Sequence, residues 1–275
     1  MRIVRPTLSP NMAVSGQPRG LAEGLLGPIV LDPENSRFWA LTSAQLAPDS
    51  DHSVATFYAN RQLKLSYGPP RVSLDGDPVQ DCSALVVGIP LAYAPIALDG
   101  GQTTPRGRAP QVVSRPEIWR GAEVRLLTKG GGERRVRLVS TDSHFSMPNP
   151  ASQAATIFDN ALEVHSIDGD PIIARGDAGA LLVDIDGNWL GVVVAGRDEI
   201  AFAAPLHPIV DRHQLKIVSP SEIREWNRVG VAGLNAVTAD EAEREVSAED
   251  EAIIDASADR PAILEAREWL DECLA

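Results

Sequence analysis

Residues 174–184 read ARGDAGALLVD, and the chain runs on as IDGNWLGVVVAG to Gly196. This is the clearest hairpin in the sequence. Two apolar strands, GALLVD and NWLGVVVAG, are joined at Asp186-Gly187, a pair that favours the tight turn between antiparallel strands. The same character extends in both directions. Downstream, IAFAAPLHPIV predicts one more strand. Upstream, AEVRLLT and RRVRLVS flank the glycine-rich KGGGE as a second hairpin, and ALEVHSI alternates apolar and polar residues. In the first half, LLGPIVLD and RFWALT are separated by the turn PENS, SVATFYA and LKLSYG follow, and SALVVGIPL is apolar enough to be buried on both faces. Short strands at regular spacing predict an all-β body, as sandwich or barrels. Residues 1–20 read as an irregular entry. Residues 99–116, rich in Gly, Pro and Arg, read as a linker between two halves.

The character changes after Val218. Ser219-Pro220 offers a helix cap and a first-turn proline, and Thr238 to Glu241 (TADE) matches a capping box. Ala242, Val246 and Ile253, then Ile263, Leu270 and Leu274, fall at helical spacing. The net charge of −13 is concentrated there. Residues 231–275 hold 13 acidic and three basic side chains, so the body is nearly neutral. The acidic end disfavours nucleic acid and anionic membranes as partners and reads as a solvated helical face. Two cysteines, Cys82 and Cys273, make no disulfide framework and point to a reducing cytoplasm. The opening residues lack the apolar run of a signal peptide. The longest uncharged run, Cys82 to Leu98, is interrupted by Pro90 and Pro95 and is short for a bilayer.

Three segments, in chain order, resemble the chymotrypsin/trypsin-like serine proteases, in particular bacterial members whose nucleophile loop runs Gly-Asp-Ser-Gly. RGDAGALLVD matches that loop, with Gly176, Asp177 and Gly179 kept and Ala178 in the serine's place. In RFWALTSAQLA the position of the family's histidine falls on Gln45. VQDCSAL retains the acid as Asp81. The resemblance spans roughly residues 20–217 and implies two six-stranded-type β-barrels. The expected organisation is an irregular N-terminal segment (1–20), first barrel (21–98), linker (99–116), second barrel (117–218) and an acidic helical extension (219–275).

The family mechanism needs a hydroxyl to attack, an imidazole to take its proton and an acid to orient the imidazole. The methyl of Ala178 cannot attack, and the amide of Gln45 has no useful basicity near neutral pH. Losing the serine or the histidine alone removes on the order of a million-fold in turnover, about 8 kcal/mol of barrier. The resemblance still implies an oxyanion hole from the N–H groups of Gly176 and Ala178, and a groove able to hold an extended peptide by strand addition. The expected function is therefore an inactive trypsin-like module that binds a peptide or protein. Two alternatives stay open: a serine endopeptidase altered at Ala178, and an adaptor or proteolytic substrate acting through its acidic tail.

Other histidines do not replace Gln45 in this reading. His52 sits in a loop-like stretch, and His144 and His165 read as structural. Ser43 and Ser83 flank the triad positions and are expected to bond local backbone. DIDGN (184–188) reads as a hairpin turn rather than a calcium loop, and KGGGERR lacks the ending of a phosphate loop. Arg134, Arg135 and Arg137 read as a solvated strand edge. No His/Cys cluster has zinc spacing, so neither metal nor cofactor is expected.

Overall fold

A computed structural model of the chain describes residues 7–8, 13–17, 23–34, 37–46, 53–58, 61–65, 79–90, 97–98, 108–129, 132–148, 155–218 and 221–228. His52, Cys273 and the helices expected beyond residue 228 lie outside the described residues. The first half contributes β1 (Thr7–Leu8), β2 (Ala13–Gln17), β3 (Glu23–Leu25), β4 (Ile29–Asp32), β5 (Arg37–Ser43), β6 (Ser53–Tyr58), β7 (Arg61–Leu65), β8 (Val79–Asp81), β9 (Val86–Pro90) and β10 (Ala97–Leu98). The second contributes β11 (Glu123–Thr128), β12 (Gly132–Pro148), β13 (Ala155–Ser166), β14 (Leu181–Val183), β15 (Trp189–Arg197), β16 (Ile200–Pro205), helix α1 (Leu206–Arg212) and β17 (Lys216–Ile217). The chain divides into two compact units. In the smaller, β1 pairs in parallel with β10, and residues 221–228 form a helix, α2, carrying an Arg228–Glu225 ion pair. The larger, Ser9–Leu91 with Gly101–Pro220, contains everything else discussed below.

The second half is a closed ring. Its strands run β12-β11-β14-β15-β16-β13 through antiparallel ladders, and β13 pairs back onto β12. Closure removes open edges from a six-stranded sheet. It is made possible by β12, 17 residues long, whose register against β13 slips between Leu138 and Ser140, between Ser140 and Ser143, and between Ser143 and Phe145. Each irregularity bends the strand and sharpens its twist. Alternation then fills the ring. Val124 and Leu126 of β11 point inward with Val136, Leu138, Leu162 and Val164, all fully buried. Each such side chain contributes about 1.5–3 kcal/mol of burial.

Among the described residues the first half forms two four-stranded sheets, β3-β2-β6-β7 and β17-β4-β5-β9. The halves also exchange strands. β17 comes after the second ring in sequence yet pairs with β4, while β8 leaves the first half to lie parallel to β13, with Asp81 opposite Asp159. One core cluster accordingly draws on both, joining Val30, Leu41 and Val86 with Phe158, Val192 and Ile209.

Two expectations are corrected. Residues 1–20 are not wholly irregular, since β1 and β2 fall there. IAFAAPLHPIV is not one strand: β16 ends at Pro205, whose extended backbone caps α1. Pro208 sits in the first turn of that helix, where a missing N–H costs nothing, and Leu206 and Ile209 face the core three residues apart. The apolar run served a strand and then a helix.

Candidate functional site

The turn at 174–180 is built by two left-handed glycines and one buried acid. Gly176 and Gly179 have φ of +96° and +91°. Asp177 is 3% exposed. Its Oδ2 accepts the N–H of Ala174 at 2.8 Å, and its Oδ1 that of Lys129 at 3.4 Å. The first half clamps the turn from the other side. Leu25 N–H donates to the Ala178 carbonyl at 2.7 Å, and the buried Thr42 hydroxyl donates to the Leu25 carbonyl at 2.6 Å. A Cβ on Gly179 would lie 2.0 Å from the Leu25 oxygen, so only glycine fits. Gly179 N–H donates to the Val193 carbonyl, and Val193 N–H to the Ala180 carbonyl, both at 2.8 Å. This pairing stops there. Among the described residues the turn-side edge of β15 from Val194 to Arg197 carries no strand ladder.

Gln45 reaches that edge. It sits in a single 3-10 turn, Ala44–Leu46, directly after β5, and its Nε2 donates to the Val194 carbonyl at 2.6 Å, with the Met147 sulfur at 3.9 Å. Its own N–H donates to Ser43 Oγ at 3.4 Å, so Ser43 bonds local backbone as expected. Gln45 and Ala178 are thus brought to neighbouring points of β15. Asp81 is turned elsewhere. It caps the 3-10 turn Cys82–Leu85, taking the Ser83 N–H on Oδ1 at 2.8 Å and the Asn160 side-chain amide on Oδ2 at 2.9 Å. Burial pushes its carboxyl up, but the bonds from Ser83 and Asn160 and the charge of Arg212 outweigh this and hold it below the usual range. Both Asp81 oxygens and the Gln45 amide are committed to other partners, although the two 3-10 turns adjoin.

Among the described residues no hydrogen bond joins an imidazole or a thiol to the turn at 174–180. His165 pairs with Glu163 at 2.6 Å on the outer face of β13, Glu163 also accepts from Ser143, and His207 pairs with Asp211 on α1. His144 is exposed on β12. Burial, then the negative charges of Asp81 and Asp159, push the Cys82 thiol far up, so it stays protonated. Ser83 Oγ is buried and lies near Asp81 without a partner in hydrogen-bond geometry. A cavity of about 400 Å³ lies away from the turn, lined by Trp39, Leu41, Ile209, Arg212 and His213; burial and Arg212 lower the pKa of His213.

The remaining motifs are absorbed locally. Asp184 accepts the N–H groups of Asp186 and Asn188, each at 2.8 Å, and the Asn188 side chain at 2.9 Å, so DIDGN is a self-satisfied hairpin turn. Arg135 forks onto Glu123, Arg125 pairs with Glu133, and Arg134 bonds the Pro171 carbonyl. Among the described residues no group of His, Cys, Asp and Glu could hold a metal ion. Glu23, which pairs with Lys129 at 3.6 Å, and Thr42, Lys129 and Val194 were not legible from the sequence as parts of this site. Three act through backbone or ion-pair contacts across the two halves, which no local pattern encodes.

No protein-family model matches the chain, and no characterised protein matches it in sequence. Solved structures do match. Alpha-lytic protease homolog N4 is 12% identical with a TM-score of 0.53, over 77% of this chain and 100% of that one. The chymotrypsin of Cellulomonas bogoriensis is 15% identical with a TM-score of 0.50, over 78% and 99% of the two chains. The Nocardiopsis protease NAPase is 10% identical with a TM-score of 0.50, over 77% and 98%. At such identities the likeness is one of fold: the body of this chain is a chymotrypsin-like double β-barrel.

Proposed function

We propose that the chain is a peptide- or protein-binding module on a protease-type double barrel, without hydrolytic chemistry of its own. The observation that carries this is the donor bond from Gln45 to the Val194 carbonyl beside a turn whose central side chain is the methyl of Ala178. A primary amide spent on a backbone carbonyl accepts no proton from a nucleophile, and a methyl offers none. The binding element is the unladdered edge of β15 beyond the Val194 carbonyl, from Ala195 to Arg197, open to an extended strand whose backbone completes the row of hydrogen bonds. A reducing, cytoplasmic setting suits the free buried thiol of Cys82.

The test is to restore a hydroxyl at the turn. Ala178→Ser alone is expected to remain unlabelled by a fluorophosphonate probe and to cleave no peptide pool, because nothing beside it takes the proton. Labelling and cleavage by that single variant would overturn the reading in favour of a serine endopeptidase altered at one residue. Binding through the tail instead of the groove would show as partners lost when residues 229–275 are removed.

A further inference from the structure

We propose that the cavity between α1 and the sheet β17-β4-β5-β9 is a second binding site, separate from the groove, and that it takes a free amino acid with an apolar side chain.

The cavity measures about 400 Å³, within the range of small-molecule sites. Its floor belongs to the core shared by the two halves. Leu41, Val86 and Ile209 line it, each no more than 3% exposed, and the half-buried Trp39 adds an aromatic wall. An alkyl or aryl group entering there leaves water for apolar surface that the fold has already assembled.

Opposite charges stand on this cavity without neutralising each other. Arg212, at the end of α1, and Glu34, in the turn after β4, both line it. Neither has an ion-pair partner among the described residues. The turn is fixed by the Glu34 N–H, which donates to Oδ1 of Asp32, a second lining acid, at 3.0 Å. His213 adds no further positive charge near neutral pH, because burial and then Arg212 lower its pKa. A simple anion would meet the two acids, and a simple cation would meet Arg212. An amino acid carries ammonium and carboxylate on one carbon, beside its side chain, and so answers both signs and the apolar floor.

A strained residue stands at the same place. Gln214 has a φ of +51°. Its N–H donates to the Asp211 carbonyl at 3.2 Å, and that of Leu215 to the Val210 carbonyl at 2.9 Å. These two bonds close α1 in a motif whose left-handed position is ordinarily glycine. Glutamine is disfavoured there by its Cβ, yet it lines the cavity. Strained backbone of this kind gathers at ligand sites, and an amide can accept from an ammonium or donate to a carboxylate.

The experiment titrates the full chain with L-leucine and L-phenylalanine, with their N-acetyl derivatives and with their amides, each to about 10 mM, tenfold above a weak millimolar affinity. Affinity is read by calorimetry. The Trp39 indole resonance is followed by NMR and assigned with Trp39→Phe. The free amino acids are expected to move that resonance and to bind about tenfold more tightly than either blocked form, the difference one charge-assisted contact makes. Arg212→Gln should bring the free amino acid and its amide to the same affinity, and Glu34→Gln should narrow the gap to the N-acetyl form. Both side chains belong to exposed residues, so circular dichroism should show the fold intact. Gln214→Gly should raise the melting temperature while weakening binding. Equal affinity for all three forms would overturn the amino-acid assignment. Binding that Arg212→Gln and Glu34→Gln leave unchanged, or no movement of the Trp39 resonance with any ligand, would overturn the site, and neither result touches the peptide groove.

Discussion

At Gly179 the two halves touch so closely that one methyl decides the outcome. Its φ of +91° and the 2.0 Å approach to the Leu25 oxygen predict that Gly179→Ala destabilises the fold by roughly 3 kcal/mol or more, through left-handed strain plus a backbone clash. Urea titration checks this, and a change within 0.5 kcal/mol (about the noise of a surface substitution) contradicts it. Asp81 is sensitive to acid. Its folded carboxyl ionises at lower pH than in the unfolded chain, so the unfolded state binds the proton first as pH falls. Its stabilisation is complete above about pH 5 and is lost as pH drops through 4 towards the lowered folded value. Asp81→Asn should flatten the melting temperature's dependence on pH in that window, and should cost about 1 kcal/mol at pH 7 because one acceptor oxygen facing the Asn160 amide is lost. An acid limb as steep as that of the parent chain would rule out this role. The residues at 45, 81 and 178 were singled out by their order in the chain. Their bonds were not: that Gln45 ties to Val194 and Asp81 to Asn160 depends on which strands become neighbours.

Among the elements, the hairpin around Asp186-Gly187 was legible because a strong turn separates two strongly apolar runs. The structure adds that Asp184 holds the turn with three acceptor bonds from within the same five residues. Asp184→Ala removes them from a side chain that is 2% exposed, and should lower stability by about 2–3 kcal/mol. Denaturant midpoints measure it, and Asp184→Asn should recover part of the loss. Helix α1 was hidden for the opposite reason. Its apolar residues continue those of β16 without a polar break, and Pro208 reads as a breaker unless the helix start is known. The bends of β12 were equally invisible, since Ser140, Asp142 and Ser143 look like an ordinary polar stretch until the ring they close is seen.

For the whole molecule, two barrels could be anticipated from repeated short strands and from the ordered motifs, but not the exchange of β8 and β17 between the halves. That exchange predicts mutual dependence. A chain ending at residue 98 lacks β17 and the body on which β8 lies, and a chain starting at residue 117 lacks β8 and the sheet that β17 joins. Each should be insoluble or molten alone, and calorimetry on the intact body should give one cooperative transition. Two separate transitions, or a folded isolated half, would contradict it. The ring closed by β12 and β13 has a further effect on crowded or overheated samples. Outside the stretch of β15 from Val194 to Arg197 it presents no row of vacant amides and carbonyls for a neighbouring copy to zip onto, whereas among the described residues the outer rims of β7 and β9 carry no further ladder. Charged residues introduced along those rims, and along Val194–Arg197, are therefore the place to suppress polymer growth.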